Sequence, residues 1–244
     1  MKTVIAYWLL LLTSCTLLLA EEASEELLSK GDFSKFKAET TSGWEFTNEV
    51  KAVSGEKALA YEATDEGPIL VNGKTKQKAS YLFTKKEYRD LRIELEFMVP
   101  KGSNSGVYVM GRYEIQILDS YGKKEPKFSG LGGLYQRWKT EGPKEQRGFE
   151  GVAPKVNAAK APGQWQILEI TFKAPRFDSS GKKIGPAQFI EVLVNGELVH
   201  ENQAALGPTR SAQFTDEKKT GPVVIQGDHG PLAIRKLTIT PLSL

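Results

Sequence analysis

Cysteine is almost absent: Cys15 is the only one, and it falls in an apolar leader, so the rest of the chain has no thiol for a disulfide or a thiolate nucleophile. Histidine is nearly as scarce, with His200 and His229 alone, and two imidazoles make a zinc centre of the usual ligands only if carboxylates join them. No Asp-x-Asp-x-Asp run marks a calcium loop, which leaves a divalent cation such as calcium, held by scattered oxygens, as an open question. A Gly-x-Gly-x-x-Gly turn between strand and helix is missing too, and its absence argues against nucleotide-linked redox chemistry. Charge of one sign is not in excess: the net is +3, or +2 once Lys2 is removed with the leader (3 − 1), and no basic stripe interleaved with aromatics points to nucleic acid.

The one long apolar stretch lies at the start. Met1-Lys2-Thr3 followed by Val4 to Leu12 and Thr13 to Ala20 reads as a secretory signal over residues 1–20, ending at Glu21-Glu22 without the basic flank of a membrane stop. The expected product is exported, to the periplasm or beyond the cell. Leu12-Thr13-Ser14-Cys15 also resembles a lipobox, which would make Cys15 a lipidated membrane anchor; cleavage after Ala20 is the alternative. Residues 21–30 read as an acidic tether or short helix, and 31–244 as a single domain.

No helical periodicity with caps is sustained across that domain. Short alternating runs broken by Gly, Pro, Asn and Asp predict an antiparallel all-β protein instead. Leu91 to Val99 alternates apolar and charged residues, predicting a strand with one wet face. Gln166 to Phe172 alternates likewise, and Asn195-Gly196 between apolar runs predicts a type I′ hairpin. Trp44 and Trp165 are expected in the core, Asn72 to Lys78 in a solvated turn, and His200 at an exposed strand end. Within Arg112 to Leu118, period-two alternation puts Arg112, Glu114 and Gln116 on one face, a polar platform that meets water or a polar ligand.

Six motifs in order, Ser103-Asn104-Ser105-Gly106, Tyr113 to Ser120, Pro162-Gly163-Gln164-Trp165, Ala174-Pro175-Arg176-Phe177-Asp178, Val194-Asn195-Gly196 and Ile225-Gln226-Gly227-Asp228-His229-Gly230, make the chain from about Phe33 onward resemble the 3-keto-disaccharide hydrolase domain family. The resemblance implies a concanavalin A-like jelly-roll β-sandwich of two antiparallel sheets, a bacterial exported protein and a carbohydrate substrate.

Glu114-x-Gln116-x-x-Asp119 has the spacing of a laminarinase-type catalytic strand, but Gln116 replaces an acid, and Asp119 joins Glu114 on one face only if a bulge intervenes. A 3-keto sugar asks for less, because the ketone acidifies the C-2 hydrogen and the C-1 oxygen can leave by elimination once a base has acted. The candidate bases are Glu114 and His229. Arg112 and Gln116 are expected to hold the keto oxygen or hydroxyls, Tyr135 or Trp138 to stack on a ring, and Asn104, Asp119, Gln226 and Asp228 to line the ligand. The ketone would come from a separate sugar 3-dehydrogenase. The alternatives are a non-catalytic carbohydrate-binding module of the same fold, or a cell-surface interaction domain.

Overall fold

The computed structural model describes residues 23–28, 30–73 and 79–244. The expected signal segment with Cys15 lies outside the described residues, as does most of the Lys-rich turn. The strands in chain order are β1 (Glu25–Glu26), β2 (Glu45–Ala52), β3 (Leu59–Ala63), β4 (Ile69–Val71), β5 (Leu82–Tyr88), β6 (Asp90–Met98), β7 (Asn104–Val109), β8 (Tyr113–Leu118), β9 (Arg137–Trp138), β10 (Gly148–Phe149), β11 (Gln166–Lys173), β12 (Arg176–Phe177), β13 (Lys183–Gly185), β14 (Ala187–Val194), β15 (Glu197–Ala205), β16 (Gly221–Ile225) and β17 (Ala233–Leu242). Among the described residues the only helical pieces are two single 3₁₀ turns.

A large antiparallel sheet runs β15-β14-β11-β6-β17-β4-β2-β3, with β1 added along β17, and a smaller one runs β5-β16-β7-β8. The acidic segment expected as a tether or helix is thus partly a strand: Glu25 pairs with Ile239, and Leu27 anchors it by burying its side chain in the core. Leu91 to Phe97 alternate as expected. Their apolar face meets Leu168 and Ile170 of β11 on one side and Leu237 and Ile239 of β17 on the other, so aliphatic rows cross the three central strands. The wet face carries Arg92–Glu169 at 2.8 Å and Lys236–Glu94 at 2.5 Å. Against this inner face pack Leu82, Val107, Val109, Ile115, Ile117, Val223 and Ile225 of the smaller sheet, closing one sandwich core. This is the expected all-β, concanavalin A-like jelly-roll sandwich.

The hairpin forms at Asn195 and Gly196, both with positive φ (53° and 84°). Trp44 is buried with its Nε1 donating to Ser80 O at 2.8 Å, whereas Trp165 is half-buried beneath the Arg235 guanidinium at 4.4 Å. His200 corrects its expectation: it is buried, with Nε2 2.8 Å from the Gly132 carbonyl, and burial pushes its pKa down. The loop after β8 folds back over this end of β14 and β15, so closely that a Cβ on Gly132 would come 2.8 Å from Val194 Cγ2.

Candidate active site

Strands β7 and β8 pair without a bulge from Asn104↔Leu118 to Val109↔Tyr113, so Gly106 faces Gln116 and Tyr108 faces Glu114. On the other side of β7, β16 brings Val224 beside Tyr108, and Gln226 N donates to Gly106 O at 2.9 Å. The start of β5 lies next to β16, and Gln226 Nε2 donates to the Tyr81 hydroxyl at 2.9 Å. At the free edge of β8, Leu134 bridges to Ile115 and Tyr135 N donates to Glu114 O at 3.0 Å. Period two then sets two rows on the outward face: Tyr81, Gln226, Gly106 and Gln116 in one, Val224, Tyr108, Glu114 and Tyr135 in the next.

Glu114 leans across Gly106. A Cβ at that position would sit 2.3 Å from Glu114 Oε1, so glycine is what leaves room for the carboxyl group. Glu114 is 1% exposed, and its pKa is pushed up to about 8 by burial; the Tyr108 hydroxyl pulls the other way and the Asp228 charge adds to the rise. Glu114 Oε1, Gln116 Oε1, Gln226 Oε1 and Asn104 Oδ1 are all buried without a hydrogen-bond partner among the described residues. Leaving such an acceptor unmade costs about 1–3 kcal/mol, so a set of four on neighbouring strands is a site awaiting donors.

A line of polar contacts leads outward from Glu114. Tyr108 interacts with both Glu114 and Tyr81, and Tyr81 interacts in turn with Asp228; burial raises both phenol pKa values. Asp228 Oδ1 lies 2.5 Å from His229 Nδ1, and the His229 side chain is 48% exposed. The loop carrying the pair is braced by Asn72, whose Nδ2 donates to Gly227 O (3.0 Å) and Gly230 O (3.2 Å) and whose Oδ1 accepts from Leu232 N at 2.5 Å. Asn72 is therefore a buried brace and not part of a solvated turn. A Cβ on Gly230 would meet Ser103 Oγ at 2.4 Å and Asn104 N at 2.8 Å, so this loop also presses on the turn that begins β7.

The structure thus brings together Glu114, Gln116, Asn104, Gln226, Asp228 and His229, with Tyr135 adjoining. It adds Tyr81, Tyr108, Gly106 and Asn72, which sequence reasoning missed. Alternation alone puts Tyr108 on the face of Gly106; only the strand pairing shows that Glu114 lies opposite it.

Three candidates lie differently from expectation. Arg112 precedes β8 and is held by contacts of its own: Nη2 to Asp216 Oδ1 (2.6 Å), Nε to Asp216 O (2.5 Å), Nη1 to Met110 O (2.8 Å), with Phe214 against the guanidinium at 4.7 Å. Its side chain is 3% exposed, with Nε, Nη1 and Nη2 each engaged by Asp216 or Met110, so it pins the segment around Asp216. Asp119 stands off the platform because no bulge brings it round; it accepts from Gly102 N at 2.8 Å and Tyr121 N at 3.4 Å, securing its turn. Trp138 lies in the β9–β10 hairpin with Arg210 stacked on one face at 4.0 Å. Among the described residues no three His, Cys, Asp or Glu side chains are grouped to hold a metal ion.

Solved structures share this architecture. A candidate glycosyl hydrolase from Parabacteroides distasonis ATCC 8503 superposes with a TM-score of 0.60 at 24% identity, over 90% of this chain and 84% of that one. A second candidate glycosyl hydrolase from the same organism gives 0.51 at 19% identity, over 91% of this chain and 100% of the other. No curated protein matches the chain. The likeness to these structures is one of fold; the sequence itself goes further, because the model of the 3-keto-α-glucoside-1,2-lyase-like domain matches residues 33–240, nearly the whole sandwich, and the chain belongs to that carbohydrate-active family.

Proposed function

We propose that this protein cleaves 3-keto glycosides by elimination across C-1 and C-2, with His229 as the base and Glu114 as a proton-holding acid behind it. The observation that carries the reading is the polar line Glu114, Tyr108, Tyr81, Asp228, His229, which joins a buried protonated carboxyl group to an exposed imidazole. Of the two candidate bases, Glu114 is covered and, with its pKa near 8, carries a proton at neutral pH. His229 has Nδ1 tied to Asp228, which fixes the tautomer and leaves the Nε2 lone pair free to accept a proton.

In the proposed reaction, Nε2 removes the C-2 hydrogen acidified by the C-3 ketone, and the electron pair moves toward O-3 as an enolate. That pair then returns to form the C-1=C-2 bond, and the C-1–O bond breaks. The departing oxygen takes a proton, and the tyrosine line supplies one from Glu114 to the exposed end of the site. Water then adds: its hydroxyl bonds C-1, its remaining proton restores Glu114 through the same line, and His229 returns the proton it took to C-2, which gives net hydrolysis. The leader supports export. The missing dinucleotide motif supports a separate sugar 3-dehydrogenase as the source of the ketone.

The test is to incubate wild type, His229→Gln and Glu114→Gln with a 3-keto glucoside and its unoxidised parent. Release from the keto form alone is expected, falling about 10²- to 10⁴-fold in His229→Gln and less in Glu114→Gln. Equal cleavage of the parent sugar, or an undiminished His229→Gln, defeats the scheme.

A further inference from the structure

Beside the catalytic rows lies a groove of about 470 Å³ lined by Arg137, Trp138, Thr209, Arg210, Ser211 and Thr215 among others. Its lining holds two guanidinium groups and three hydroxyls but no carboxylate. The two arginines differ. Arg137 is answered by Glu150 at 2.9 Å and lies against the Phe149 ring, whereas Arg210 has no carboxylate at ion-pair distance among the described residues. Its backbone is fixed by the Arg210 N bond to Gln136 O at 2.8 Å, and its guanidinium lies half-buried on the Trp138 indole at 4.0 Å. A guanidinium laid on an indole keeps the donors of its planar fork pointing outward, the arrangement that suits two-point recognition of a carboxylate or sulfate.

The groove touches the Glu114 end of the catalytic rows. Thr209, which lines it, accepts from Glu114 N through its hydroxyl at 3.2 Å, and Tyr135 bonds the same residue's carbonyl. Ser211, which also lines the groove, is held at φ 62°, a left-handed conformation that non-glycine residues adopt mainly where surrounding structure imposes it.

We infer that this groove is a subsite for an anionic group, a carboxylate or sulfate ester on the leaving-group part of the substrate, read by Arg210 on its Trp138 platform. The placement on the leaving group rests on the glycoside-cleaving reading; anion recognition stands on the groove alone.

Two measurements keep these apart. The first is direct binding of glucuronate, glucose 6-sulfate and glucose to wild type, Arg210→Gln and Arg210→Lys, followed by calorimetry and tryptophan fluorescence. Wild type should bind the two anions about tenfold more tightly than glucose, Arg210→Gln should lose the difference, and Arg210→Lys, which keeps charge without the fork, should fall between. The advantage should shrink as salt is raised. The two anions distinguish carboxylate from sulfate as the favoured group. Equal binding of all three sugars, or an anion preference that survives in Arg210→Gln, overturns the inference. The second compares 4-carboxyphenyl and phenyl 3-keto-α-glucosides as substrates. A wild-type preference of about tenfold in kcat/KM for the carboxylated compound, abolished in Arg210→Gln with the phenyl compound unaffected, supports the placement; equal kcat/KM overturns it. Turnover of neither compound would defeat the proposed reaction while the binding result still decides the subsite.

Discussion

Glu114 binds a proton more tightly in the folded protein than in the unfolded chain, and that difference has a sign. Its pKa rises from 4.5 to about 8, so between those values the native state holds the extra proton. Stability from this source is full below pH 4.5 and is lost as pH rises through 8, on the order of a few kcal/mol for so buried a group. Denaturant titrations from pH 5 to 9 should show stability falling with pH, and Glu114→Gln, which cannot ionise, should flatten that slope; an unchanged slope would mean the carboxyl is not held neutral. Gly106→Ala tests the same residue from below. The added methyl would come 2.3 Å from Oε1, so the carboxyl must give up its place. Activity on a 3-keto glucoside should drop tenfold or more, with about 1–3 kcal/mol of stability lost and the pH slope reduced together. Loss of stability with full activity would separate Glu114 from the chemistry.

At the level of strands and turns, legibility follows distance along the chain. The alternation of Leu91 to Phe97 and the Asn195-Gly196 turn are local statements, and both appear in the fold as read. Gly196 offers a clean check on the second: its φ is 84° and nothing lies within 4 Å of an added Cβ, so Gly196→Ala should cost about 1 kcal/mol through backbone strain alone. A thermal melt showing no loss would mean the hairpin relaxes to another turn. The site was legible in pieces. Glu114, Gln226 and His229 stand out as residue types in a pattern, but Tyr81 meets Gln226 across 145 residues and Asn72 meets Gly227 across 155. Local patterning says nothing about such partners. Arg112 misled for the same reason, since its alternation was visible while its partner Asp216 lies 104 residues later. His200 likewise gave no sign that the Gly132 carbonyl would fold back onto it.

Across the whole molecule, one buried ion pair ties distant segments of the sandwich together. Asp90, 2% exposed, takes both arms of Arg176, at 2.9 Å to Oδ1 and 2.7 Å to Oδ2, and accepts from Ala174 N at 2.8 Å; Arg176 also reaches Leu244 O at 2.7 Å. Removing one partner of a buried pair strands the other, so Asp90→Ala should destabilise by about 3–5 kcal/mol and lower Tm by about 10 °C. A change of only a degree or two would show the pair to be dispensable. The sheet order carries a different implication. β17, residues 233–242, is the last strand of the chain yet stands between β6 and β4 in the middle of the large sheet, with β1 zipped along it. Without β17 the sheet is two separate groups of strands, β15-β14-β11-β6 and β4-β2-β3, with a missing centre. The two groups are therefore coupled through one strand, and the large sheet should be lost in a single cooperative step and not half by half.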